Sequence, residues 1–446
     1  MIRSEKLYVV LLAFCCVASL AAKAGDAWSV DDCISYAIEH NYGLRNKRLD
    51  TGMAGADVVS AYGDFLPSVT VAGRAGRRLG RSVDPATNQY TSESFWENAV
   101  GLNVSLPIFN GLTRLNRLKF ARLNKAISGF AEKVAENDLA LEVAEAYYRC
   151  CFDAEVYELA VEQRQLGERY YEKMSEYVGL GLRPRSDIQE LRARLQADIY
   201  QERVKADNSL FSLSALKELM GMEVADTLTL CRETESFYPI AVHDVVLSGL
   251  YESARACLPE YQIMEMRHEA SRRAVSIAAG AISPSVKLEL DINTGYYTAR
   301  DRNGVMPSFR TQLSDNLNRY VGVSVSVPLF DGLSRYKNIQ KEKMRLQQVS
   351  NENERQRLLL TRDIYDTYIS AQTAAEEWSL ANEQLGAASA AWHKSEEKWH
   401  EGLISGFELM ESRNLYMQAR VEAVRTSLQY MLRKKMIRFY QTGSFL

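Results

Sequence analysis

Histidines and closely spaced carboxylates are the side chains here whose spacing could do chemistry. His393 and His400 lie seven apart on one predicted helix, beside Glu396 and Glu397. Helical zinc ligands pair at i, i+4, so this spacing points away from a metal site. His40, His243 and His268 are isolated. Gly179-x-Gly181 lacks a third glycine and follows a helix, so it is no dinucleotide fingerprint. The chain has no Walker loop and no Gly-x-Ser-x-Gly elbow. These residues argue for no enzyme, no cofactor and no resident metal. Glu408 and Glu411, three apart in GLISGFELMESR (402–413), share a helix face. By spacing alone they read as a solvated face.

The elements that must position these residues come in duplicate. NVSLPIFNGLTRL (103–115) returns as SVSVPLFDGLSRY (324–336), 221 residues later. Pro107, Phe109, Gly111, Leu112 and Arg114 recur as Pro328, Phe330, Gly332, Leu333 and Arg335. The same offset pairs Asp187 with Glu408 and Arg192 with Arg413. An offset of 217 pairs Gly63, Pro67 and Ser68 with Gly280, Pro284 and Ser285, which places the four-residue difference in loops between strands. The chain divides into a signal (1–24), a first repeat (25–242) and a second repeat (243–446).

Each repeat is expected to hold a helical segment (30–62 and 243–281), two strands, a very long helix (111–178 and 332–400), a tight turn and a returning helix (186–222 and 406–441). A helix of about 68 residues is roughly 100 Å long, more than a globular core needs. Leu123, Ile127, Phe130, Val134 and Leu141 recur about every 3.5 residues, as in a coiled-coil stripe. Gly179, Gly181 and Pro184 mark one turn, and Gly402 and Gly406 the other.

Four segments alternate with period two. Trp96, Val100, Leu102, Val104 and Leu106 oppose Glu97, Ala99, Gly101, Asn103 and Ser105. Val286, Leu288, Leu290 and Ile292 oppose Lys287, Glu289, Asp291 and Asn293, and Val321 to Val327 alternate in the same way. The stretch 68–77 is weaker, with Val69 and Val71. The pattern fits a membrane β-barrel with a wet interior, and equally an antiparallel sheet with one solvated face. Polar loops near 78–94 and 298–316 join the strands at one end, with Tyr90, Trp96, Tyr296 and Tyr297 close by, where an aromatic girdle would sit. Membrane barrels have at least eight strands and tolerate no open edge in lipid, so four strands would need other copies of the chain.

Composition and the N-terminus narrow the class. Of 446 residues, 46% are hydrophobic and 25% charged, which excludes wholesale disorder. A net charge of −3 excludes a strongly basic nucleic-acid binder. Arg3, Lys6, an apolar run over 7–22 and Ala22-Lys23-Ala24 have the layout of a secretory signal. The run is short of the roughly 20 residues of a transmembrane helix. A lipid-anchored N-terminus at Cys15 or Cys16 is the rival reading, which Phe14, bulky for the usual lipid-attachment box, disfavours. The mature chain keeps Cys33, Cys150, Cys151, Cys231 and Cys257, an odd number at irregular spacings with no visible disulfide framework.

With LPIFNG and VPLFDG, the PSV strand starts at 67 and 284, and the duplicated hairpin, the mature chain resembles the TolC-like outer-membrane efflux proteins. The resemblance implies an α+β membrane protein and a homotrimer. Four strands per chain would contribute to a shared 12-stranded β-barrel, and the coiled-coil hairpins to a hollow periplasmic α-barrel. It implies a passive exit duct in the cell outer membrane, gated at its periplasmic tip. The duct would dock on a periplasmic adaptor (membrane fusion) protein and an inner-membrane pump of RND or ABC type, for efflux or type I secretion. It places Glu408 and Glu411 at the pore constriction, where three copies would ring six carboxylates. In GLRPRSDIQELR (181–192) it marks Ser186, Asp187, Gln189 and Arg192 as gate links, with Trp399 at an aromatic partner's position. The turns at Gly181, Leu182, Gly402 and Leu403 would meet the adaptor. The rival reading, a periplasmic coiled-coil scaffold or adaptor without a pore, accounts for the hairpins but not for duplicated strands with aromatic ends.

Overall fold

The computed structural model describes residues 27–83, 88–92, 94–231, 246–298 and 308–445. The stretch expected to be an export signal (1–24), Cys15, Cys16, His243, the expected repeat junction at 242–243 and parts of both loops lie outside the described residues. The chain forms two compact units that cut across the duplication. One takes residues up to Lys47, Glu132–Tyr261 and residues from Arg357 on; the other takes Arg48–Ala131 and Gln262–Gln356.

The first expected helical segment is two helices, α1 (Val30–His40) and α2 (Tyr42–Gly63). Ser29 caps α1, and Asp32 completes a capping box. Asn41 breaks the run. Its backbone is extended, its Nδ2 donates to the Leu219 carbonyl at 2.8 Å, and its Oδ1 accepts from the Leu44 amide at 3.0 Å. α3 (Thr113–Gly179), α4 (Arg185–Met220), α5 (Leu247–Cys257) and α6 (Pro259–Gly280) follow. The twin segment breaks at Leu258, because Pro259 forces the residue before it into the extended region and then starts a helix well. α7 (Phe309–Asp315) is a short helix within the second loop between strands. α8 (Ser334–His400) and α9 (Gly406–Thr442) end the chain, and α3 and α8 each have 67 residues. Among the described residues no helix is long and apolar enough to cross a membrane.

The helical core repeats as the sequence does. Val30, Ile34 and Ala37 of α1 pack with Val143, Ala144 and Tyr147 of α3 and Leu216 and Met220 of α4. Leu250 and Ala254 of α5 pack with Ile364 and Ala371 of α8 and Tyr430 and Ile437 of α9. The coiled-coil stripe of Leu123, Ile127, Phe130, Val134 and Leu141 is half-buried, and the deeply buried positions of α3 are Leu139, Ala140, Val143, Ala144 and Tyr147. Ala61 and Val58 of α2 pack on Leu118 and Ala121 of α3, whereas α1 packs on its later stretch.

Glu260, second in α6, has one buried carboxylate oxygen with no hydrogen-bond partner. Burial, and then the nearby Asp138 charge, push its carboxyl above the usual range; burial and Glu142 do the same to Asp138. A carboxyl raised by folding favours the protonated form, so stability falls as pH climbs from about 4.3 through the raised value. Glu260→Gln is expected to raise Tm at pH ~7.5 and to leave it unchanged at pH ~4. Equal shifts at both pH values would show that shape, not charge, sets the effect.

The strands are β1 (Ser68–Arg78), β2 (Ser82–Val83), β3 (Tyr90–Thr91), β4 (Phe95–Asn110), β5 (Ser285–Tyr297) and β6 (Asn318–Ser326). β2 and β3 pair in the first loop, and the others form one antiparallel sheet in the order β1-β4-β5-β6. Register brings the apolar residues to one face: Val71 opposes Leu102, Leu102 opposes Ile292, Leu290 opposes Val321 and Leu288 opposes Val323. On the other face Asn103 donates to Asp291 at 2.6 Å. Val69, Val71, Val100, Val321, Val323 and Val325 are all exposed. β1 and β6 each pair with one neighbour among the described residues.

Candidate functional site

The turns of the two hairpins are built alike. α3 ends at Gly179, and Gly181 takes φ +75° while its amide donates to Val178 and that of Leu182 to Tyr177. α8 ends at His400, and Gly402 takes φ +78° with the same bonds to Trp399 and Lys398. This doubled termination suits glycine, which reaches the left-handed region without strain. Leu182 and Leu403, the residues that follow, are both exposed. Arg183 Nη2 donates to the Ile404 carbonyl at 3.3 Å and so ties one turn to the other.

Asp187 and Glu408 are both third residues of their returning helices, and their surroundings differ. Ser405 caps α9, and Glu408 closes a capping box by accepting from the Ser405 amide at 2.8 Å. Pro184 stands at the corresponding position of α4 and has no side chain to cap with, so Asp187 accepts instead from the Ser186 hydroxyl at 3.1 Å. Glu408 and Glu411 are exposed, as are Ser186, Gln189 and Arg192. Glu411 lines a groove of about 290 Å³ between α4 and α9, with Glu190 and Arg194 beside it and Leu191, Phe407 and Met410 below. The two carboxylates read as one pair in the sequence thus have different local tasks.

Under the turns lies an aromatic core of Tyr170, Met174, Leu191, Trp392, Trp399, Leu409 and Met410. Trp399 is buried there with its indole nitrogen unpartnered, edge-on to Tyr170 at 5.2 Å and under the Lys173 ammonium. Its ring belongs to the packing under the turns, and it has no hydroxyl to donate. Tyr170 donates to Glu396 at 2.6 Å; burial first, then that carboxylate, pushes its phenol upward. His400 Nδ1 sits 2.7 Å from the Lys173 ammonium, an arrangement unsuited to holding a cation.

Sequence reasoning missed the most buried charge. Arg413 is fully buried; its Nη2 pairs with Asp198 at 2.8 Å, its Nη1 donates to the Gln163 carbonyl at 3.2 Å, and its Nε has no hydrogen-bond partner among the described residues. Gln163 Nε2 in turn donates to Asp198 at 2.6 Å. The network joins α3, α4 and α9. Arg192, the twin of Arg413, is exposed. Ala419 stands where the twin of Asp198 would be, so Arg192 has no equivalent acid. That single difference between repeats was the available signal.

The strand-to-helix motifs lie in the other compact unit. Gly111 and Leu112 have φ +64° and +61°, and Gly332 and Leu333 both have +65°. Arg114 is buried and donates to the Pro107 carbonyl at 2.6 Å. Phe109 and Asn110 still pair with β5. Pro328 and Phe330 lie beyond the end of β6.

Comparison with known proteins adds the following. A family model described as outer membrane efflux protein matches residues 33–221 and 250–438. Protein CyaE of Bordetella pertussis is 21% identical over 403 residues, covering 90% of this chain and 81% of that protein. Among solved structures, CusC matches with a TM-score of 0.78 at 16% identity, covering 96% of both chains. The Campylobacter jejuni CmeC outer membrane channel matches at 0.79 with 15% identity, over 93% of this chain and 85% of that one. VceC of Vibrio cholerae matches at 0.76 with 15% identity, over 94% and 97%. The likeness in fold spans the long helices and the strands together.

Proposed function

We propose, since this chain belongs to the outer membrane efflux protein family, that it is the outer-membrane exit duct of a tripartite efflux or type I secretion system. Three copies supply four strands each to a 12-stranded barrel, and their hairpins enclose a periplasmic channel. The conduit is passive, because the chain carries no nucleotide-binding motif. Its energy comes from an inner-membrane pump reached through a periplasmic adaptor, which meets the turns at Gly181, Leu182, Gly402 and Leu403. Glu408 and Glu411 line the constriction, and Ser186, Asp187, Gln189 and Arg192 link neighbouring hairpins when the tip is shut.

One observation carries this reading: the sheet aligns its apolar residues on a single exposed face and, among the described residues, ends in two strands with one neighbour each. Water penalises such a face, and lipid rewards it only when the edges are closed. A pore-free periplasmic scaffold gives that face no use. The test is fractionation followed by sizing in detergent and planar-bilayer recording. Outer-membrane recovery, a mass of three chains and stepwise conductance are expected. A stable monomer released with the periplasm overturns the reading.

A further inference from the structure

The apolar face of the sheet ends in charge on its two outer strands. Directly paired residues share a face, so Arg77, which opposes Trp96, lies on the same face as Val69 and Val71. Val71, Leu102, Ile292 and Arg319 form one row across the sheet, so Arg319 shares that face with Val321, Val323 and Val325 of its own strand. The repeat makes the choice of residue visible. The twin of Arg77 is Thr294 in β5, and the twin of Arg319 is Asn98 in β4. Among the described residues, the apolar face of β4 and β5 carries no charge, whereas β1 and β6 each close it with an arginine at the loop end.

The two faces also treat their arginines differently. On the polar face Arg78 pairs with Glu97 at 2.7 Å, and Arg74 approaches the same carboxylate at 3.9 Å. On the apolar face Arg77 donates to the Ser94 hydroxyl at 2.7 Å, and among the described residues neither Arg77 nor Arg319 meets a carboxylate. Both are exposed. Arg77 follows Val69 by eight residues, about 27 Å of strand and about 20 Å of height at a tilt near 40°. The apolar band of a membrane barrel is about 25 Å tall, so Arg77 and Trp96 reach its rim. Arg319 is the second residue of β6, at the same end of the sheet. An arginine on a lipid-facing strand is costly at mid-membrane and cheap at the rim, where it meets headgroups.

We infer that Arg77 and Arg319 hold the phosphate groups of an outer-leaflet lipid at the junctions between subunits. The inference rests on the proposed duct, which turns the loop end of the sheet away from the cell and makes β1 and β6 of different copies neighbours. Charge complementarity selects the occupant. A guanidinium presents a fork of donors that fits phosphate oxygens, and phosphate is the charged group of lipid headgroups. The surface next to the two arginines selects a lipid over a soluble anion. Val69, Val71, Val321, Val323 and Val325 are exposed there, and only acyl chains make use of them.

The test uses the full-length exported protein in detergent, with bisphosphorylated lipid A as the probe and native mass spectrometry as the readout. The native protein is expected to bind it at least about tenfold more tightly than the dephosphorylated lipid, because one charge-assisted hydrogen bond is worth about that factor. Arg77→Gln with Arg319→Gln is expected to abolish the preference. Arg74→Gln with Arg78→Gln, on the polar face, is expected to leave it unchanged. Millimolar inorganic phosphate is expected to leave the lipid in place. Equal binding of the two lipids by the native trimer, an undiminished preference without Arg77 and Arg319, or an equal loss from the polar-face pair overturns the inference and leaves the duct standing. Displacement by inorganic phosphate does the same, since it marks a site for free anions. If the double variant fails to assemble, each single variant is read instead; a partial loss is expected, and no loss from either overturns the inference. Sizing of the native protein to one chain overturns the duct as well.

Discussion

Asp198→Ala is expected to destabilise the helical hairpins by about 3–5 kcal/mol, the cost of leaving one partner of a buried ion pair without the other. Arg413 has no exposed surface and Asp198 is 4% exposed. Removing the carboxylate strands a guanidinium whose remaining partner is the Gln163 carbonyl, and it strips Gln163 of its own acceptor. The loss should show as faster hydrogen exchange in α4 and the first turns of α9, and as a lower Tm. Arg413→Met with Asp198→Leu should recover most of it, because packed apolar groups replace a buried pair at little cost. The exposed pair Arg203–Asp207 offers a contrast, with at most about 1 kcal/mol expected. A loss that small for Asp198→Ala would mean that water reaches the Arg413 site.

The second large effect is expected from Glu408→Gln with Glu411→Gln. Alanine would be a poor probe, because it would also remove the capping box at Ser405 and cost helix stability of about 1 kcal/mol. Glutamine keeps the box and removes only the charge. In a trimer the pair of changes deletes six carboxylates around one opening. Two unit charges about 6 Å from a permeating ion already amount to about 1.4 kcal/mol in water, a factor of ten. The ratio of potassium to chloride permeability, read from reversal potentials across a salt gradient, should therefore fall by at least about tenfold. An unchanged ratio would remove both residues from the constriction.

Much of the fold was legible because it is periodic and doubled. The alternation in 286–294 and 319–327 corresponds to β5 and β6, and the duplicated glycines fix turns that need left-handed backbone. The break at Pro259 was also open to view, since proline restricts the residue before it. The break at Asn41 was not, because it depends on a carbonyl at Leu219, far along the chain. For the site, the positions of Glu408 and Asp187 at equivalent helix starts followed from the repeat. That Glu408 spends hydrogen bonds on a cap while Glu411 lines a groove did not.

The sequence by itself determined the duplication, the family and the kinds of element, because these rest on local periods and on motifs a few residues long. Only the tertiary structure decided which of two matching residues is buried. Arg413 and Arg192 follow similar local patterns, yet one closes a network through Asp198 and the other meets solvent, with Ala419 where the matching acid would stand. The physical reason is that burial of a charge is settled by partners on other helices, whose rotation and height no short stretch of sequence encodes.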